Sequence, residues 1–162
     1  MNQNQVEILK NLSWESTPEQ KKSGFIAALQ ETEYKYLLQP KDYFSSWDNA
    51  SIVFLMLSDD DIEPYLFNLL GWLQDLNWPG ATRILDRLQR VPAKLLVEPL
   101  ERASKLASDN NDESWLGWLS ILIATPRMNK LLNADVFNLL KPYAVEYHNW
   151  DYDKIAEHFH LI

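Results

Sequence analysis

Three consecutive carboxylates, Asp59, Asp60 and Asp61, are residues whose type could bind a cation. A calcium loop of the EF-hand type needs oxygen ligands at alternating positions, a glycine and a distal glutamate, and that spacing does not follow. Acidic side chains also stabilise the positive end of a helix dipole, and Pro64 suits a first helical turn. We therefore interpret the three carboxylates as a helix N-terminus rather than a metal site.

Histidines near the C-terminus are the next candidates for metal binding. His158 and His160 are two positions apart, so on a helix they point to different faces and chelate poorly, and His148 lies further back. The chain contains no cysteine, and it has neither a Gly-x-Ser-x-Gly elbow nor a glycine-rich phosphate loop. The sequence therefore predicts no metal, no cofactor and no catalytic residue, and it favours a protein that is not an enzyme.

The residues best suited to recognition lie in the stretch from Leu69 to Ala81, which ends one apolar helix and begins another. Asp75 and Asn77 offer hydrogen bonds beside the amphipathic indole of Trp78, a composition that suits a protein interface. The same side chains could instead close the turn, and we prefer that structural interpretation unless a tryptophan is exposed. The candidate partner-binding residues are Trp72, Asp75, Asn77, Trp78, Trp115 and Trp118.

Composition limits the class of protein. A chain of 162 residues with a hydrophobic fraction of 46% is expected to fold as a single domain, residues 1–162. The absence of cysteine, of a signal peptide and of a long apolar run predicts a cytoplasmic protein that does not enter a membrane. A formal net charge of −8 argues against nucleic-acid binding and is compatible with a basic protein partner.

Tryptophan recurs along the chain at intervals of 31 to 37 residues, at positions Trp14, Trp47, Trp78, Trp115 and Trp150. Each lies at or near the start of a helical pattern. A second marker, an apolar–polar–proline signature, falls between them and ends at Pro40, Pro64, Pro99 and Pro142. Such periods in a helical chain are typical of stacked helix pairs, which bury their apolar faces on one another.

The expected architecture is therefore all-α, a right-handed α-α superhelix of about five helix pairs. We divide it into N-terminal pairs (1–57), a core (58–125) and a C-terminal cap (126–162). The expected helices are Gln5–Leu12, Thr17–Thr32, Tyr34–Gln39, Ser46–Leu57, Asp61–Leu76, Pro79–Arg90, Ala93–Ser108, Asp112–Ala124, Asn133–Tyr147 and Tyr152–His160.

Local signals set several of these boundaries. Thr17 and Gln20 are spaced as a capping box, with Pro18 at the first helical position. Asn77 suits a left-handed helix end, and Pro79 suits the first turn of the next helix.

The stretch Leu70-Gly71-Trp72-Leu73-Gln74-Asp75-Leu76-Asn77-Trp78-Pro79-Gly80-Ala81 resembles the LLxWLQDxNWPxA box of small bacterial domains of unknown function built from HEAT-like repeats. The similarity extends over about residues 58–125, and the N-terminal stretch from Leu12 to Gln20 is similar as well. Proteins of this kind resemble components of toxin–immunity loci, which implies a bacterial, cytoplasmic binder of a toxin. The resemblance implies no catalytic residue.

Three functions remain open from the sequence. The preferred one is a non-enzymatic, HEAT-like binding module that holds a protein partner, such as a basic toxin, in an acidic groove. The second is an α-solenoid enzyme of the DNA base-excision type, which requires a basic groove and an aromatic pocket with a carboxylate. The third is a self-assembling scaffold marked by an exposed apolar terminal helix.

Overall fold

The computed structural model describes residues 1–124, 128 and 130–148, and within these ranges the chain forms helices and no strand. The α-helices are α1 (Gln3–Asn11), α2 (Pro18–Leu29), α3 (Trp47–Met56), α4 (Asp59–Ile62), α5 (Leu66–Gly71), α6 (Ala81–Leu88), α7 (Ala93–Asp109), α8 (Glu113–Ser120) and α9 (Ala134–His148). Short 3₁₀ segments cover Lys35–Leu37, Lys41–Ser46, Glu63–Tyr65, Trp72–Gln74 and Ile121–Ala124. None of the helices in the described ranges has the length and apolarity needed to cross a membrane.

Helices that are neighbours in space are one to three positions apart along the chain. The hairpin of α1 and α2 begins the fold, and then α3 packs against α6 while α5 packs against α7. α7 also contacts α8, and α9 packs on both α7 and α8. The expectation of an all-α fold is confirmed.

One hydrophobic core runs through the described residues from α1 to α9. Leu66, Leu69 and Leu70 of α5 are fully buried, and they meet the buried faces of the surrounding helices. A helix that is apolar over so much of its surface has neighbours on several sides. α5 accordingly contacts both α6 and α7.

Reciprocal side-chain caps fix the start of α1, where Asn2 pairs with Gln5, and two further helix starts. Thr17 Oγ1 accepts from the amide of Gln20 at 3.2 Å, while Gln20 Oε1 accepts from the amide of Thr17 at 2.8 Å. This confirms the predicted capping box. Ser58 and Asp61 form the third box at the start of α4, which places the acidic triplet in a first helical turn as expected.

The prediction of one continuous helix over Asp61–Leu76 is wrong. The segment consists of α4, a 3₁₀ turn at Glu63–Tyr65, α5 and a second 3₁₀ turn at Trp72–Gln74. Pro64 has no amide hydrogen to continue the helical ladder, and this explains the first break. The apolar face nevertheless continues through Leu73, which is fully buried.

The turn between α5 and α6 also differs from expectation. Asn77 does not adopt the left-handed conformation, and Pro79 precedes the helix instead of forming its first turn. Gly80 takes the left-handed role with a φ of 82°, and α6 begins at Ala81. A Cβ on Gly80 would lie 2.5 Å from Ser51 Cβ, so glycine also permits close contact with α3.

The tryptophan series coincides with helix starts in the structure, whereas the apolar–polar–proline signature does not. Each tryptophan of the series that the structure describes lies at a helix start or in the turn before one: Trp14, Trp47, Trp78 and Trp115. The proline signature marks no common position, because Pro64 opens a 3₁₀ turn whereas Pro99 and Pro142 lie inside α7 and α9. The ring of Pro99 is buried, which offsets the lost backbone hydrogen bond. Trp150 and the helix expected at Tyr152–His160, with His158 and His160, lie outside the described residues.

Candidate functional site

Four aromatic side chains form a continuous strip from the surface toward the core. Trp14 and Phe44 contact edge to face with ring centroids 5.7 Å apart, and Phe44 lies 4.8 Å from Trp47. Trp47 then meets Trp78 at 5.9 Å, and it also touches Trp72 in the core at 6.2 Å. We call Trp14, Phe44, Trp47 and Trp78 the aromatic strip. Its outer end is open, since Trp14 is 47% exposed and Phe44 is 46% exposed.

A second surface combines tyrosines with carboxylates. Tyr65 Oη donates to Glu33 Oε1 at 2.6 Å and accepts from the backbone amide of Tyr34 at 3.2 Å. The rings of Tyr34 and Tyr65 meet edge to face at 6.3 Å. We call this surface the acidic tyrosine face, and its members are Glu31, Glu33, Asp61 and Tyr65, with the buried ring of Tyr34 beside Tyr65.

The electrostatics of the acidic tyrosine face favour the charged form of Glu33 and the neutral forms of Tyr34 and Tyr65. The hydrogen bond from Tyr65, followed by the one from the amide of Lys35, lowers the pKa of Glu33 below its ordinary value. Burial, followed by the charges of Asp61 and Glu31, raises the pKa of Tyr34. Burial, followed by the bond to Glu33, likewise raises the pKa of Tyr65. At neutral pH this surface therefore presents fixed negative charge beside protonated phenols.

A cleft of about 390 Å³ opens beside this face, and its lining residues are Met1, Gln5, Glu33, Lys35 and Tyr36. Tyr36 is only 6% exposed, and its hydroxyl has no hydrogen-bond partner among the described residues. Burial raises the pKa of this phenol above its ordinary value, with Glu31 and Tyr34 adding to the effect. The cleft thus has an ionised carboxylate at its rim and a neutral tyrosine in its wall.

The residues predicted to contact a partner do not form one site. Trp72 and Trp115 are buried in the core, where their indole nitrogens donate to the backbone oxygens of Pro79 at 3.1 Å and Leu70 at 2.9 Å. These two side chains are unavailable to a partner, so the structural interpretation applies to them. Trp118 is half-buried on α8.

Among the predicted partner-binding residues, Asp75, Asn77 and Trp78 lie in the turn between α5 and α6 and have separate roles. Asp75 Oδ1 accepts from the backbone amide of Asn77 at 2.8 Å and from its side-chain nitrogen at 3.0 Å, which closes the turn. Asn77 itself is exposed. Trp78 is half-buried and belongs to the aromatic strip.

Sequence reasoning missed most members of both surfaces. Trp14 and Trp47 were recognised as periodic markers but not as neighbours, and Phe44 was not singled out. Glu33 and Tyr65 are 32 positions apart, so only the folded chain brings them together. A tryptophan or phenylalanine outside any apolar helical stripe, as at Trp14 and Phe44, is the signal that could have indicated exposure.

Within the described ranges, no group of three or more histidines and carboxylates is arranged to hold a metal ion. The acidic triplet instead makes protein contacts. Asp59 accepts from Arg87 at 2.7 Å, and that guanidinium also donates to the backbone oxygens of Phe54 and Leu57 at the end of α3.

Comparison with known proteins identifies the family. No curated protein and no solved structure matches the chain. A family model described as a domain of unknown function, DUF5071, matches residues 38–159 and leaves the α1–α2 hairpin outside the match. Because the match covers about three quarters of the sequence, the chain belongs to the DUF5071 family of domains of unknown function.

Proposed function

We propose that this chain is a non-enzymatic protein-binding module whose acidic tyrosine face binds a basic protein. The observation that carries the proposal is the Glu33 carboxylate, which accepts from the Tyr65 hydroxyl and the Lys35 amide, with Glu31 and Asp61 near the adjoining Tyr34. Tyrosine is enriched at the energetic centres of interfaces because a rigid ring provides apolar contact and its hydroxyl provides a hydrogen bond.

Charge supports a basic partner for this face. The chain has a formal net charge of −8, so its field attracts cationic proteins over long distances. At short range the Glu33 carboxylate is already oriented by two donors, which reduces the ordering cost when an arginine or lysine arrives. The neighbouring Lys35 is exposed, so solvent screens its charge.

The finer form of the proposal is a HEAT-like stack that serves as a bacterial, cytoplasmic immunity protein and neutralises a basic toxin. The neighbour pattern, with α3 on α6 and α5 on α7, supports a stack of helix pairs. The resemblance of the box around Trp72 and Trp78 to immunity-locus proteins supports the biological role. A toxin that acts on nucleic acid needs a basic surface to contact the phosphates, and such a surface suits this face.

The test is partner capture from the native cell at low salt, with tagged wild-type chain and two matched double variants. Glu31→Gln with Glu33→Gln removes two charges from the face but keeps an acceptor for Tyr65. Asp86→Asn with Glu98→Gln removes two charges from exposed positions on α6 and α7, where each forms a weak surface ion pair.

We expect the first double variant to lose the captured basic protein and the control to retain it. Raising the salt concentration should release the partner from the wild type, because screening weakens the attraction between exposed charges. Equal capture by both double variants would show that the face is not the binding site. Capture of a neutral or acidic protein in place of a basic one would contradict the partner class.

A further inference from the structure

We propose that the aromatic strip is a self-association surface, through which two copies of this chain form a symmetric dimer. The starting observation is exposure. Trp14 and Phe44 each leave nearly half of their surface open, and they lie against one another in a single patch. A contiguous aromatic patch on a water-exposed surface favours contact with another protein surface.

The strip is held in a fixed shape before any contact forms. The amide of Trp14 donates to Ser45 O at 2.9 Å, and Lys21 Nζ donates to Trp14 O at 2.8 Å. Trp47 Nε1 donates to Pro40 O at 3.1 Å. Because the backbone around both outer rings is fixed, little conformational entropy remains to be lost on association.

The charges around the aromatic strip favour a second copy of this chain, rather than the basic partner, as the molecule that binds there. The residues beside or bonded to the strip include four carboxylates and three cations: Glu15, Asp42, Asp48, Asp75, Lys21, Lys41 and Arg83. Asp48 and Arg83 already neutralise each other in an ion pair. Two copies that each carry a net charge of −8 repel, and a nearly balanced surface is where they can approach at the smallest electrostatic cost.

Mixed charge also suits a twofold contact. In an isologous interface the same patch is used by both copies, so a cation on one copy can face a carboxylate on the other. Lys41 and Asp42 are adjacent to each other and exposed, and they precede Phe44 by three and two positions, so they provide such a pair near an aromatic centre. This arrangement matches the usual anatomy of an interface, with aromatic residues in the middle and polar residues at the rim.

Sedimentation equilibrium and light scattering on the full chain test the proposal, at protein concentrations up to about 1 mM, where even weak specific complexes form. The variants are Trp14→Ala with Phe44→Ala, and separately Phe44→Lys, which leaves Trp14 in place. The matched control is Ile26→Ala with Met56→Ala, because these exposed apolar side chains lie outside the strip and are 50% and 59% exposed. Circular dichroism melts establish that each variant is folded.

We expect the wild type and the control to dimerise and both strip variants to be monomeric, with the dissociation constant raised at least about tenfold. Added salt should strengthen the dimer, because it screens the repulsion between two acidic copies. A wild-type chain that stays monomeric throughout the concentration range, or a dimer that survives both strip variants, would overturn the proposal. Loss of the captured basic protein in the strip variants would also overturn it, by assigning the strip to that partner.

Discussion

The aromatic strip and the acidic tyrosine face are built from similar rings in opposite electrostatic settings. In the strip, Trp14 and Phe44 are exposed among charges that nearly cancel. In the face, the ring of Tyr34 is buried and that of Tyr65 is half-buried. The Tyr65 hydroxyl donates to Glu33, and the charges of Asp61 and Glu31 lie close enough to raise the pKa of Tyr34. An exposed aromatic side chain therefore does not by itself determine which class of partner binds. The charge around the rings decides whether a like-charged copy or an oppositely charged protein can approach.

Both surfaces lie where the N-terminal segment meets the family domain. Trp14 and Glu33 precede residue 38, where the family match begins, whereas Phe44 and Tyr65 lie inside it. The segment before residue 38 therefore contributes one side of each surface, Trp14 from the α1–α2 turn and Glu33 from the chain after α2. Asn49 Nδ2 helps to fasten it by donating to Leu12 O at 2.7 Å.

The largest expected effect is a difference in folding stability between two tryptophan variants. One removes the buried Trp72, which contacts the strip, and the other removes the exposed Trp14. Trp72→Ala should destabilise the fold by about 3–5 kcal/mol, because it empties a fully buried site and removes the bond to Pro79 O. Trp14→Ala should cost only about 1 kcal/mol, chiefly through the lost ring contact with Phe44. Urea unfolding of both variants measures the difference. Equal losses would mean that Trp14 is a structural residue and not an association residue.

The next effect concerns the turn that positions Trp78. Gly80→Ala should cost about 2–4 kcal/mol, since alanine disfavours the positive φ and its Cβ would collide with Ser51. Gly71→Ala is the matched control, because a Cβ there meets nothing within 4 Å and glycine is unfavourable in a helix. The control should be neutral or stabilising by up to about 1 kcal/mol in the same urea experiment. A Gly80→Ala variant as stable as the wild type would show that the turn is not constrained by α3.

A smaller effect tests the electrostatics of the acidic tyrosine face. Tyr65→Phe removes the strongest hydrogen bond to Glu33, so the pKa of Glu33 should rise toward its ordinary value of 4.5. Because that pKa is lowered in the folded chain, ionised Glu33 stabilises the fold above pH 4.5. This stabilisation is lost as the pH falls through the folded pKa.

The variant should therefore lose less stability than the wild type on acidification below pH 4.5. An NMR titration of the Glu33 carboxyl measures the pKa directly, and Tyr43→Phe is the control because Tyr43 makes no contact with Glu33 among those that shift its pKa. A Glu33 pKa that is the same in wild type and Tyr65→Phe would refute the role assigned to the Tyr65 hydroxyl.

The sequence predicted what depends on near neighbours along the chain. The Thr17 and Gln20 box follows from three-residue spacing, and helix starts near Trp47 and Trp115 follow from apolar periodicity. The start of α6 was misplaced because Gly80, rather than Asn77 or Pro79, adopts the special backbone conformation. Close contact with Ser51, almost thirty positions earlier, determines that choice, and no local pattern shows it.

The surfaces were harder to predict for the same reason. Trp72 and Trp78 are the same residue type six positions apart in one stretch, yet Trp72 is fully buried and Trp78 is half-buried. Their difference arises from packing between α3, α5 and α6, which periodicity does not specify. Likewise, the charge of a surface depends on which carboxylates folding brings together.

The most direct test of the central claim, that the acidic tyrosine face is the partner site, is hydrogen exchange of the chain with and without its captured basic partner. We expect slower exchange in the complex at residues 31–36 and 59–65, and unchanged exchange at residues 13–16 and 42–48. Protection confined to the aromatic strip, or no difference at residues 31–36, would contradict the claim.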